Sequence, residues 1–164
     1  MNPGSSPDSP ISHGICDSCF RSHLSRLGID IGKDLDFLDA PVILVNPDAR
    51  VLDINGNALQ FIDKPLSRIV NSLTGDVLGC KYATLPGGCG KTDSCTLCVI
   101  RNTVRKTYET GEPVERCLVE FMKENSGTAE PTYFLISARK AGPATNPAIL
   151  VRIDPVVDGI GINE

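Results

Sequence analysis

The chain is poor in the features that would tie it to a membrane, to nucleic acid or to histidine-based catalysis. No apolar run approaches the roughly 20 residues that a bilayer-spanning helix needs. The net charge is −4, so no general electrostatic attraction draws the protein to DNA, RNA or anionic lipid. The first ten residues, MNPGSSPDSP, have no basic stretch followed by an apolar one, and so do not read as a secretory signal. These absences set the expectation of a cytoplasmic protein without membrane or nucleic-acid partners. There are 2 histidines, His13 and His23, both near the start. No Cys–His or Ser–His pairing can be placed from them, and the acidic residues are scattered as on solvated faces, so the expectation is a protein that is not an enzyme.

Cysteine, in contrast, is plentiful. There are 7, an odd number that fits poorly with a complete disulfide framework. In a reducing compartment, closely spaced cysteines more often signify metal or redox chemistry than structural disulfides. Four of them, Cys80, Cys89, Cys95 and Cys98, lie in one stretch, GCKYATLPGGCGKTDSCTLC.

That stretch contains GKT, which invites comparison with a phosphate-binding loop. Such a loop needs G-x-x-x-x-G-K-[ST] directly after a buried strand. The first glycine would fall at position 85, which is Leu85, and no apolar strand precedes it. A c-type haem attachment fails as well, because Cys98 is followed by Val99 rather than histidine.

The spacing Cys80-x8-Cys89-x5-Cys95-x2-Cys98 suits a metal better. Two thiols in C-x-x-C can bind one ion from a tight turn or a helix start. Cys95 and Cys98 are expected to share a face in the first turn of a long helix, where unpaired N–H groups and the helix dipole favour thiolate. Cys89 lies in PGGCG, whose glycines let the chain fold back on itself, and Cys80 closes the ring. Four thiolates suit Zn²⁺ or an iron–sulfur cluster. Reversible disulfides, and ordinary cysteines grouped by chance, are the alternatives. Against chance stands the composition of the loop, whose glycines and threonines offer little apolar burial.

Around the cluster, the remaining pattern is that of one domain with room for a short extra segment. Residues 1–10 are rich in Pro, Ser and Gly and are expected to be disordered. Segment 11–34 suggests a short helix capped by Asp17 or Ser18, with Leu35 and Leu38 inward just beyond it. PVILVN and RVLDIN read as a hairpin joined by a type I turn at Asn46, Pro47 and Asp48. Asn55 caps a short helix, and Leu66, Ile69, Val70 and Leu73 recur at helical spacing. A helix over 96–110 places Leu97, Ile100, Val104 and Tyr108 on one face and stops at Gly111. Three strands follow: 114–122, with Cys117, Val119 and Phe121 on one face, then 132–140 and 148–154, with ENSGTAEP as a loop after the first. Cys117 is read as a small core residue. The predicted fold is α+β: a five-stranded antiparallel sheet with helices on one face, over residues 35–155, with 156–164 as a tail.

This order resembles the PAS sensory domain. The residues that carry the likeness are APVILVNPDARVLDINGNALQFI, then YETGEPVERCLVEF, TYFLISARKAG and AILVRIDPV. The resemblance implies a curved sheet that holds a ligand between its inner face and the helices, and a role in signalling. The run G-C, then G-C-G, then C-x-x-C entering the last helix is similar to the middle region of a cysteine-bearing subset of bacterial PAS sensors. All four cysteines match it.

The start of the chain adds a second pair. SHGICDSC, with Cys16 and Cys19, resembles the SHGIC-x-x-C tail of bacterial sensor proteins, in which another C-x-x-C lies upstream and the two pairs share a zinc. Here the upstream pair is missing, so the carry-over extends to Cys16 and Cys19 alone. His13, His23 or the pair of a second chain could complete such a site.

Taken together, these features lead us to expect a sensing module that holds a metal or iron–sulfur centre and reports redox, oxygen or metal status. Its output would pass to a signalling protein such as a histidine kinase or regulator, or through a homodimer. The alternatives are a structural zinc site in an interaction domain, and a PAS cavity for a small organic ligand.

Overall fold

The computed structural model describes residues 26, 39–142, 144 and 147–156. The expected leader 1–10, the helical segment 11–34 with His13, Cys16, Cys19 and His23, the inward residues Leu35 and Leu38, and all but the first residue of the tail 156–164 lie outside those residues.

Five strands form one antiparallel sheet. β1 (Val42–Val45) and β2 (Val51–Ile54) come first, and β3 (Val114–Asn125), β4 (Thr128–Ala141) and β5 (Ala148–Pro155) come last. Their spatial order is β2-β1-β5-β4-β3, so the last strand lies at the centre between the first and the fourth. Three α-helices fall between β2 and β3: α1 (Gly56–Ile62), α2 (Thr74–Leu78) and α3 (Val99–Thr110). Among the described residues, no helix is long and apolar enough to cross a membrane.

Alternation along the strands decides which face is covered. Ile43 and Val45 of β1, Ile149, Val151 and Ile153 of β5, and Phe134, Ile136 and Ala138 of β4 belong to one buried cluster with Val119 and Phe121 of β3. Antiparallel partners project to the same side; Val151 lies opposite both Ile43 and Ala138, so the cluster runs across the sheet without a break. Ile100 and Val104 of α3 and Ala58 and Ile62 of α1 close it from above. Each large side chain buried there contributes about 1.5–3 kcal/mol. Cys117 is half-buried and packs against this cluster, in agreement with its reading as a core residue.

Local signals hold where short-range hydrogen bonds fix them. Ala49 N–H donates to the Asn46 carbonyl at 2.9 Å, closing the β1–β2 turn, and the Asn46 side chain accepts from the Asp48 and Arg50 amides. Asn55 caps α1 as expected by accepting from Ala58 N–H at 2.9 Å. It also accepts from Val42 N–H at 3.0 Å and donates to the Ala40 carbonyl at 2.7 Å, which ties the helix start to the beginning of β1.

Three expectations need correction. ENSGTAEP is not a loop: β3 and β4 continue through it and meet in a two-residue turn, Ser126–Gly127, where both residues have positive φ as a type I′ turn requires. The long helix begins at Val99, not 96, because Cys98 has extended backbone and Asp93–Leu97 forms a separate 3₁₀ turn. The buried stripe of α3 is therefore Ile100, Thr103, Val104 and Thr107, whereas Leu97 is 82% exposed and Tyr108 faces outward.

Candidate functional site

The four clustered cysteines come from four successive local structures. Cys80 directly precedes a 3₁₀ turn, Lys81–Thr84. Cys89 lies in the glycine bend that follows. Cys95 is in the second 3₁₀ turn, and Cys98 occupies the N-cap position of α3. All four line a single cavity of about 260 Å³. Val119 and Phe121 of β3 and Ile100 of α3 form an apolar wall, so the cavity lies between the loop and the inner face of the sheet. Its volume far exceeds the roughly 10–15 Å³ that one water needs. Among the described residues, no three histidines, cysteines, aspartates or glutamates lie close enough together to hold a single metal ion. The sulfurs thus surround a space rather than a point.

Backbone geometry explains how the chain makes this turn. Gly87, Gly88 and Gly90 all have positive φ, between 75° and 93°, a region costly for residues with a Cβ. Gly75 of α2 matters for a different reason. A Cβ there would lie 2.6 Å from Cys89 Sγ, so the buried sulfur fills the space where a side chain would begin.

The surroundings differentiate the thiols. Cys80 is pushed up from the ordinary thiol value by burial, which the N–H groups of Tyr82 and Ala83 only partly offset. Burial also pushes Cys89 up, against the opposing pull of the Gly75 N–H and the Arg101 guanidinium. At Cys95 burial also acts upward, but hydrogen bonds from Thr92 and Gly90 and the charge of Arg101 outweigh it and hold the thiol below its ordinary value. Gly90 N–H donates to Cys95 Sγ at 3.2 Å, and the Thr92 hydroxyl lies 3.2 Å from the same sulfur.

The sequence placed the sulfurs on one loop but assigned their supports wrongly. Cys95 and Cys98 do not share the first turn of α3; what favours the Cys95 thiolate is the Gly90 amide and Thr92, not the helix start. Two contributors went unrecognised. Gly75 could have been noticed as a glycine in the first turn of a short helix, Thr74–Leu78, where a poor helix former calls for a packing reason. Arg101, in the first turn of α3, carries no signal in sequence, because its role depends on how the loop folds over it.

No protein-family description and no curated protein matches this sequence. Solved structures do. The PAS domain of nitrogen regulation protein NR(II) from Vibrio parahaemolyticus superposes with a TM-score of 0.52 at 11% identity, over 76% of this chain and 95% of that one. The PAS domain of BvgS from Bordetella pertussis gives a TM-score of 0.49 at 8% identity, over 78% and 86%. At such identities the likeness concerns the fold, and it rests on the first of the two. The class so defined is an α+β domain of PAS-like fold, its five-stranded antiparallel sheet covered on one face by helices.

Proposed function

We propose that this protein is a sensing module whose four cysteines, Cys80, Cys89, Cys95 and Cys98, hold an iron–sulfur cluster between the loop and the sheet. The single observation that carries this reading is the cavity: four thiols from four local structures line one space too roomy for a lone ion. Thiolates are the usual ligands of such clusters. When bound, a cluster supplies a one-electron centre sensitive to oxygen. The chain's own part is to fix the sulfurs. Gly75 leaves room for Cys89, Gly90 and Thr92 orient Cys95, and Cys98 joins the site to the start of α3. Because α3 packs on the sheet through Ile100 and Val104, a change in how Cys98 is held reaches the core of the domain. The output partner, on this reading, is a signalling protein such as a histidine kinase or regulator, or a second copy of the chain; the likeness to a domain of a nitrogen regulation protein supports that choice.

Purification without oxygen, followed by visible spectroscopy and assay of iron and sulfide, tests the proposal. The expected result is a brown protein that bleaches in air. A colourless, folded protein with one equivalent of zinc would replace the cluster with a structural zinc site, and would require the loop to close around the ion. The apolar wall formed by Val119, Phe121 and Ile100 favours one further reading, a small organic ligand. A folded, metal-free sample would select it.

A further inference from the structure

Arg101 belongs to two cavities at once. One is the thiol cavity. The other, of about 400 Å³, lies between the β1–β2 turn and the outer side of α3, where Asp48, Ala49 and Arg105 also line it. The Arg101 side chain crosses from one to the other. Nη1 donates to the Asp48 carbonyl at 3.3 Å. The same guanidinium fills the space beside Gly90: a Cβ there would lie 2.8 Å from that Nη1 and 2.9 Å from Cζ. Gly90 is the residue whose amide donates to Cys95 Sγ. Among the described residues no carboxylate pairs with this guanidinium. The guanidinium borders the thiols on one side, and Asp48, Arg105 and Glu109 share the second cavity with it.

We infer that Arg101 is a positioning residue that couples the thiol cavity to the β1–β2 turn, through its shared contact with Gly90 and with the Asp48 carbonyl. The inference rests on the reading of the cavity as the seat of an anionic metal–thiolate centre. Were the four thiolates to hold such a centre, Arg101 would be drawn toward them and kept between loop and turn, and its Asp48 hydrogen bond would persist. With the cavity empty, that attraction is missing, and the turn opens more often. One net hydrogen bond corresponds to roughly a two- to tenfold change in the opening equilibrium.

The test uses the full chain, loaded without oxygen with ferrous iron and sulfide, and in a parallel arm with Zn²⁺ alone. Metal content is measured alongside amide hydrogen exchange at Ala49 and Arg50. Loading should slow exchange at these amides roughly two- to tenfold in the unsubstituted protein. Arg101→Gln should bind metal and lose that response. Arg105→Gln, which alters the second cavity alone, should keep it. A loaded Arg101→Gln protein that still shows the slowing overturns the coupling, and so does an unsubstituted protein that loads without any slowing; in both cases the metal reading stands. If neither metal binds the unsubstituted protein, the metal reading itself fails and the coupling falls with it. Should Arg101→Gln not load, Arg101→Lys keeps the charge, lacks the planar guanidinium that packs beside Gly90, and is scored by the same criteria.

Discussion

The sheet and the 79–98 loop are held by opposite means. In β5, the first four residues are all buried, and its pairings with β1 and β4 run without a register shift. The loop, between Gly79 and Cys98, has two 3₁₀ turns, four glycines at positive φ and a single buried apolar residue, Cys89. Burial of apolar surface therefore fixes the sheet, while the loop depends on backbone freedom and, on the function proposed above, on a centre held by its sulfurs. Stability and chemistry are assigned to different parts of one small domain.

Substitutions can break this contrast or sharpen it. The largest effect is expected at Phe134, fully enclosed in the core: Phe134→Ala should cost about 3–5 kcal/mol in urea unfolding, loaded or not. Asn55→Ala removes a cap that also serves the start of β1 and should cost about 1–3 kcal/mol. Gly75→Ala should act mainly on the loop. The stability of the metal-free protein should fall by about 1–3 kcal/mol as the methyl displaces the buried sulfur, less than at Phe134, while metal affinity falls on the order of tenfold, the scale seen when ligand supports are disturbed. An equal loss of metal-free stability at Gly75 and Phe134 would dissolve the distinction drawn here.

Thiol titration gives a finer test on the metal-free protein. Alkylation followed by peptide mapping should show Cys95 reacting at lower pH than Cys80 and Cys89, because its thiolate is favoured and theirs are not. The linkage has opposite signs. A lowered folded value at Cys95 adds stability above the ordinary thiol range, which is lost as pH falls through the lowered value. Raised values at Cys80 and Cys89 add stability below that range, which is lost as pH rises through the raised values. The smallest effect belongs to Leu97, 82% exposed: Leu97→Ala should shift unfolding by less than about 0.5 kcal/mol.

The same contrast explains what could be read from sequence. Strands β1, β2 and β5, the Asn46 turn and the Asn55 cap were legible because apolar runs and short-range hydrogen bonds determine them. The outer reach of β3 and β4 was not: Lys123 and Glu130 are exposed, and a ribbon that extends beyond the core has no burial pattern to reveal it. The start of α3 was misplaced because Thr92, Asp93 and Ser94 resemble helix caps but open a 3₁₀ turn, and counting helical spacing across that break put Leu97 on the wrong side. The cysteines could be grouped by spacing, yet their meeting around one cavity depends on left-handed glycines and on contacts with β3 that no spacing encodes.

The sulfur of residue 89 occupies the volume that a methyl group at residue 75 would claim. Two positions fourteen apart are thus bound into one choice. A lineage that retains the thiol is confined to glycine at the other place, and one that discards it is released from that confinement. Among relatives of this chain, the two should be kept or abandoned together, leaving an inherited mark of the contact that can be counted without purifying any protein.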